Sequence, residues 1–464
     1  MLGVAARSGY RHVDDAGSAE VIVVNTCGFI DAAKKESIDT ILELAGHKED
    51  GACQKLVVAG CLSQRYADDL ERDMPEVDHF LGSSDMLKLE RVLAGDAERL
   101  LVGNPADWVV QASDPRLVST RGASAYLKLA EGCNRTCSFC VIPQIRGKQR
   151  SRGMDDVVDE ARRLIDAGVL ELNLVSQDTV AYGRDLDAKA SLAEVVRRIA
   201  DLPGARWVRM FYLYPEKLDD AVVDLLANHP IVVPYVDMPL QHAADGMLRR
   251  MRRGHGGKRQ RDVVERLRKN VPELVFRTAF IVGHPGETDA EFDELIDFVT
   301  WAEFDRVGVF HYSDEPTSGS FAIEGKVPRA VAKERARRLM KLQRGISRKK
   351  NRALVGKRLE VLVEGPSEEN ELVFVGRHRG QAPEIDGAVF LSGAEVRPGE
   401  LRHVRVAKAT DYDLLGEVEE AADDEASIDV GPTHRGAALP AVAAPARLVH
   451  RASDGRRVTL RTVP

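Results

Sequence analysis

The sequence predicts a multidomain α/β protein. It has a small open α/β N-terminal domain, a partial (βα)6 barrel of the TIM type, and a small C-terminal β-barrel. Three observations carry this reading. The 464 residues exceed what one hydrophobic core organises, at roughly 150 residues per domain. Apolar β-branched runs alternate with helical periods through the first 350 residues. Past residue 352 the pattern changes to short strands separated by glycines.

The first domain is expected over residues 1–101. Residues 21–24 are a β-branched apolar run, the mark of a strand buried on both faces, and residues 55–60 are a second. Between them residues 31–45 set Ile38, Ile41, Leu42 and Ala45 along one helical face. Residues 80–82 end a third strand. This is a βαβ pattern, which builds a parallel sheet. Cys27 and Cys61 each lie just past the carboxyl end of a strand, the edge where open parallel sheets bind ligands.

Residues 119–350 continue the alternation at a longer period. Strands are expected at 125–130, 171–175, 207–212, 232–238, 276–282 and 306–310. Helices are expected at 154–167, 192–200, 218–227, 259–270 and 291–302, followed by a helix at 329–352 dense in Arg and Lys. Six such units suggest a parallel barrel whose chemistry sits at the C-terminal ends of its strands.

Residues 352–418 hold short strands at 359–364, 372–375, 388–391 and 401–406, and are expected to close as a five-stranded β-barrel. Residues 419–464, acidic and then rich in Ala and Pro, are expected to be a disordered tail.

Composition excludes whole classes. At 44% hydrophobic and 30% charged the chain is neither fibrous nor wholly disordered. It has no apolar run of about 18 residues to span a membrane, and Met1 to Tyr10 lack the apolar core of a signal peptide. A net charge of -7 argues against coating nucleic acid by overall charge, while leaving room for local basic patches. Six cysteines are too few for a disulfide scaffold. Their use points to a reducing, cytoplasmic setting.

The decisive segment is Glu131-Gly132-Cys133-Asn134-Arg135-Thr136-Cys137-Ser138-Phe139-Cys140. Three thiolates within eight residues can hold three corners of one cluster. A structural zinc needs a closed set of four ligands, and no histidine lies between Ala125 and Arg152. A 4Fe–4S cluster accepts three protein thiolates when its remaining iron takes an outside ligand. Spacing of this kind after a strand is the signature of radical S-adenosylmethionine (SAM) enzymes.

Over nearly its whole length the chain resembles the radical SAM methylthiotransferases, in which a TRAM β-barrel follows the radical SAM core. Within them it resembles the branch acting on an aspartate of small-subunit ribosomal protein twelve. The strings that carry this are Asn25-Thr26-Cys27-Gly28-Phe29-Ile30, Gly60-Cys61-Leu62-Ser63-Gln64-Arg65-Tyr66 and Ser176-Gln177-Asp178-Thr179. Pro239-Leu240-Gln241-His242, Gln381-Ala382-Pro383-Glu384-Ile385-Asp386-Gly387 and Tyr412-Asp413-Leu414-Leu415-Gly416 add to them. His284 departs from the family, which usually has an aromatic there.

The resemblance implies SAM and two 4Fe–4S clusters as cofactors. Cys133, Cys137 and Cys140 would hold the SAM-binding cluster. Cys27 and Cys61 would hold the auxiliary one, whose third ligand is missing from the chain. Cys53, ahead of a strand, reads as an unrelated thiol. The family opens on a strand that supplies that ligand, so the chain is expected to be truncated at its start by roughly 20–30 codons.

Phe139, Gln177, Gln241, Gly283, Gly286 and Glu287 are the expected cofactor contacts, with Asp178 and His242 at the same mouth. For Phe139, plain core packing weighs equally. No catalytic side chain is assigned beyond the clusters. The activity implied is methylthiolation of the aspartate β-carbon. Alternatives are a tRNA adenosine methylthiotransferase and a non-catalytic ribosome-binding protein with a decayed auxiliary site. Expected partners are the ribosomal protein, on or off the ribosome, and an electron donor, with no membrane. The basic helix reads first as a solvated face and second as a ribosomal RNA contact. The β-barrel resembles a module that binds tRNA in relatives, but Arg377, His378, Arg379, Glu384 and Asp386 fit recognition of a basic ribosomal protein at least as well.

Overall fold

Five short strands from the first hundred residues lie in one parallel sheet: β1 (Arg11–His12), β2 (Val21–Thr26), β3 (Lys55–Gly60), β4 (His79–Leu81) and β5 (Leu100–Leu101). The structure, a computed structural model, describes residues 1–120, 122–186, 190–419 and 456–463. The apolar runs are explained by burial on both faces. Ile22, Val24, Leu56 and Val58 pack with Ile41 and Leu44 of the helix Asp31–Ala45. Val21, Val23, Val57 and Ala59 turn the other way, onto Leu89, Val92 and Leu93 of the helix Leu89–Ala94.

A barrel follows. β6 (Ser124–Lys128), β9 (Glu171–Val175), β10 (Trp207–Met210), β11 (Val232–Asp237), β12 (Val275–Val282) and β13 (Arg306–His311) form one parallel sheet in the order β13-β12-β11-β10-β9-β6. A two-stranded ribbon, β7 (Ala130–Glu131) and β8 (Arg150–Ser151), flanks the cysteine loop. Alternate residues face opposite ways. Leu172, Leu174, Val208, Met210, Val236, Phe276 and Phe280 meet the surrounding helices. Trp207, Phe211, Val233 and Tyr235 fill the lumen.

β14 (Arg358–Pro366), β15 (Phe374–His378), β16 (Val389–Ser392), β17 (Leu401–Ala409) and β18 (Leu414–Val418) close a separate barrel in the order β14-β15-β16-β18-β17. Its Leu362, Ala382 and Leu401 join the lumen cluster, so this module plugs the foot of the larger barrel. Polar groups seal the joint. Arg377 Nη2 donates to Glu171 at 2.6 Å and Tyr235 Oη donates to Asp386 at 2.7 Å. Trp207 Nε1 donates to Glu360 at 3.1 Å.

These contacts correct the recognition surface expected from the sequence. Arg377 and Asp386 are committed inside the joint, and Arg379 donates to the Pro230 carbonyl at 2.6 Å. His378, enclosed by burial, is pushed down to about 3 and is uncharged. Glu384 alone of the five presents an open carboxylate.

The helix Arg329–Arg352 is not a free basic stripe either. Arg335 pairs with Glu287 and Asp289, Arg338 with Asp293, Arg348 with Asp411, Lys349 with Glu303 and Lys350 with Asp305. Sequence proximity showed only Glu334 against these cations; the matching carboxylates come from other elements.

One strand was not legible at all. β19 (Arg457–Thr462) inserts parallel between β1 and β2, with Val458 opposite Val21 and Thr462 opposite Asn25. The disordered tail expected over 419–464 is corrected for this segment, while 420–455 lie outside the described residues. Six residues of weak alternation become a strand only when edges on both sides satisfy their backbone. Among the described residues no helix is long and apolar enough to cross a membrane.

Candidate active site at the barrel mouth

The cysteine loop leaves the C-terminal end of β6, where a parallel barrel gathers its chemistry. Gly132 makes the turn. It sits at φ +83°, and a Cβ there would fall 2.3 Å from the Lys148 carbonyl oxygen. Beyond it the Cys133 amide donates to the Gly147 carbonyl at 3.1 Å, and the Cys140 amide to the Cys137 carbonyl at 3.1 Å.

All three loop sulfurs line one open cavity of about 550 Å³, with Asn134, Arg135 and Arg252 beside them. Burial pushes the Cys140 thiol up to about 12 and raises Cys133 as well. Cations already face the sulfurs, since Arg253 Nη1 lies 3.3 Å from Cys137 Sγ. Thiols held neutral by burial give up their protons to a metal. Among the described residues no three Cys, His, Asp or Glu side chains stand close enough together to hold a metal ion, the loop cysteines included. Three loop thiols with no fourth protein ligand do not suit structural zinc, whereas a 4Fe–4S cluster accepts three.

Arg135 of the cavity wall carries a buried Nη2 with no protein partner, and nearby Gln177 Oε1 and Asp178 Oδ1 are likewise buried and unpartnered. Their other atoms are fixed. Gln177 Nε2 donates to Glu131 at 3.1 Å, and Arg135 Nε to Asp178 at 2.6 Å. Orphaned donors and acceptors beside the sulfurs fit a polar ligand. Gln241 stands at φ +72°, its amide on the Ala279 carbonyl at 2.8 Å. Gly283 and Gly286 both take positive φ, as a turn approaching a ligand requires.

Two expected contacts point elsewhere. Glu287 folds back under its own turn, where its carboxylate accepts from the Gly283 amide, His242 Nε2 at 3.2 Å and Arg335 Nη1 at 2.8 Å. It and His242 are buried supports, not mouth contacts, because a turn this short returns side chain 287 onto amide 283. Phe139 packs on Ala244, Met247 and Met251, which favours its core reading. His284, the departure from the family pattern, is buried and hydrogen-bonded to Ser320 at 2.8 Å.

Cys27 and Cys61 lie together at the carboxyl edge of the first sheet. Burial raises Cys27, and the Cys61 thiolate adds to it. Arg146 spans the gap to the mouth: Nη2 donates to Cys61 Sγ at 3.1 Å, and Nη1 approaches Glu131 at 3.4 Å. Sequence reasoning missed Arg146, Glu131 and Arg253. The signal available was a cation six residues past Cys140. Cys53 is buried in the first core, apart from both groups.

Comparison with known proteins follows the same division. Residues 127–299 match the model of the radical SAM superfamily, residues 355–418 the TRAM domain, and residues 1–82 uncharacterized protein family UPF0004. Barrel, loop and mouth are those of a radical SAM enzyme. The ribosomal protein uS12 methylthiotransferase RimO of Sorangium cellulosum (strain So ce56) is 66% identical, over 100% of this chain and 93% of its own length. Its namesake from Anaeromyxobacter sp. (strain K) is 48% identical over 96% of this chain and 94% of its own. That from Myxococcus xanthus (strain DK1622) is 47% identical over 91% and 89%. The chain belongs to the ribosomal protein uS12 methylthiotransferase family.

Proposed function

We propose that the chain methylthiolates the β-carbon of an aspartate in ribosomal protein uS12, with SAM as methyl donor and as radical source. The observation that carries it is the mouth, where three cysteines and Arg135, with its unpartnered Nη2, line one cavity. Cys133, Cys137 and Cys140 would hold the 4Fe–4S cluster. When bound, cluster and SAM supply a 5′-deoxyadenosyl radical, able to break a C–H bond beyond the reach of any side-chain acid or base.

The chain's own residues bind and orient. Gln177 and Gln241, with the backbone at Gly283 and Gly286, are the SAM contacts we assign. Glu287 is a positioning residue for that turn. Tyr126, Phe211 and Tyr235 pack together in the lumen below. Cys27 and Cys61 are assigned to the auxiliary 4Fe–4S cluster. Two thiols do not complete its ligand set.

Relatives named for uS12 along the full chain favour a protein aspartate over a tRNA adenosine. The complete cysteine loop speaks against a non-catalytic ribosome-binding protein. The TRAM barrel supports an encounter on or near ribosomal RNA, although the paired cations of Arg329–Arg352 lend that contact little. An electron donor must reduce the cluster, and a cytoplasmic setting keeps the thiols free. The test is mass spectrometry of ribosomal proteins from a strain lacking the gene. One methylthio group should vanish from uS12; intact uS12 with loss from tRNA would assign the chain to nucleic acid.

A further inference from the structure

The turn Ala382–Gly387 of the small barrel does more than plug the large one. Its two ends are clamped. At the entrance Arg377 Nη1 donates to the Gln381 carbonyl at 2.9 Å, and Ala382 packs among Trp207, Phe211 and Tyr235. At the exit Asp386 accepts from Tyr235 Oη at 2.7 Å and from the Ala382 amide at 2.9 Å. Ile385 and Asp386 also line a cavity of about 400 Å³ with Arg277, Arg306 and Gly308 of the barrel wall. The turn is therefore anchored at both ends against the lumen cluster, with Glu384 and Ile385 left exposed between them.

Glu384 occupies the tip of this turn. It stands at φ +67°, a left-handed conformation that strains a non-glycine residue and persists only where flanking contacts impose it. Its side chain is exposed. Among the described residues its carboxylate has no ion pair and no hydrogen bond. The lumen carboxylates are matched: Glu171 by Arg209 and Arg377, Asp237 by Arg277, Glu131 by Lys128.

Aromatic rings stand beside it. Burial, and after it the Glu384 carboxylate, push the Tyr126 hydroxyl up, so the two are neighbours. Tyr126, Phe211 and Tyr212 form a chain of rings with centroids 6.2 Å apart. Tyr212 is itself strained, at φ +55°, and 48% exposed. Across the lumen Phe310 of the edge strand β13 is 54% exposed. Exposed rings around one unpaired carboxylate make a subsite for the stem and head of a long cationic side chain.

Resting on the uS12 reading above, we infer that Glu384, with Tyr126 and Tyr212, receives a Lys or Arg side chain of the substrate protein close to its target aspartate. A ribosomal protein is rich in such side chains because it binds RNA phosphate. Contact with the TRAM barrel would then set which aspartate enters the mouth. Glu384 is a specificity residue and takes no part in the chemistry.

The test is a binding titration of purified uS12 against the full-length chain, which needs no activity. E384Q and E384G should each raise Kd about tenfold, the effect of one charge-assisted contact. E384G also relieves the strained φ, so misfolding cannot explain its loss. E384K should bind more weakly still, and one uS12 variant with a basic residue near the target changed to Glu should recover affinity for E384K. Binding of uS12 to E384K as tight as to the parent would overturn the inference while leaving the function intact. A parent that binds tRNA, more tightly as E384K, would also overturn it. If the parent neither binds nor modifies uS12, the functional reading itself fails and takes this one with it.

Discussion

The guanidinium of Arg377, on the small barrel, donates 2.6 Å into the carboxylate of Glu171 at the foot of the large barrel. Both side chains are buried, and Arg209 completes the charge balance on Glu171 at 2.9 Å. A buried pair of this kind adds little over an apolar substitute but is costly to break, because the surviving charge is stranded. The joint between the two modules is thus a fixed one.

Arg377→Met should therefore destabilise the chain by about 3–5 kcal/mol, measured by denaturant unfolding. Changing Glu171, Arg209 and Arg377 together to apolar residues, which leaves neither buried guanidinium facing a missing carboxylate, should recover most of that loss. If the single variant unfolds like the parent, the joint is not held by this pair.

The same pair sets an acid limit. Burial pushes Glu171 up, but Arg377 and Arg209 outweigh it and hold the carboxyl at about 2, below its ordinary 4.5. A lowered carboxyl stabilises the fold above the unfolded value and loses that contribution as pH falls toward the folded one. Stability of about 3 kcal/mol should disappear between about pH 5 and pH 2. Unfolding of Glu171→Gln followed across that range should show a flatter slope than the parent.

Cys137→Ala should abolish binding of a SAM-competent cluster without unfolding the other domains. Iron content, the visible absorption of the anaerobically reconstituted protein and 5′-deoxyadenosine release read this out. Release at the parent rate would remove the loop from the site.

Glu287→Gln should weaken SAM binding more than it weakens folding. The amide can still accept from Gly283, but it leaves Arg335 without its charge partner inside the turn. A loss of about 1–3 kcal/mol in stability is expected, with a clear rise in the Kd for SAM measured by equilibrium dialysis. An unchanged Kd would separate the turn from the cofactor.

Removing residues 456–464 should expose β1 and β2 and destabilise the first sheet alone. Val458 and Thr459 are almost wholly buried there, and each buried Val side chain contributes about 1.5–3 kcal/mol. Hydrogen exchange should rise at Val21–Thr26 and stay unchanged in the barrel. A Thr459→Cys, Ile22→Cys pair, opposite each other in register, should cross-link on oxidation.

Much of this was legible in the sequence wherever one chemical period governs one element. The helices Leu192–Ala200 and Arg329–Arg352 begin and end where their patterns do, and Cys133, Cys137 and Cys140 face one cavity because they share one loop. Directions set by distant partners were not legible. Glu287 looked like a mouth residue until its turn brought it under Gly283, and Asp386 looked free until Tyr235 reached it. The cations of Arg329–Arg352 found carboxylates on Asp289, Asp293, Glu303, Asp305 and Asp411, which no local window contains. β19 had no signature of its own.

Strand β19 also fixes an order of events during synthesis. Arg456, at its start, meets Tyr10 across 446 residues of chain. Every other neighbour in the first sheet is local by comparison, and pairings across such separations form late. The two barrels can mature as they emerge from the ribosome, module by module. The sheet bearing Cys27 and Cys61 waits, one strand short, until residues 457–462 are made. The edge that carries Cys27 and Cys61 is thus completed later than the barrel mouth.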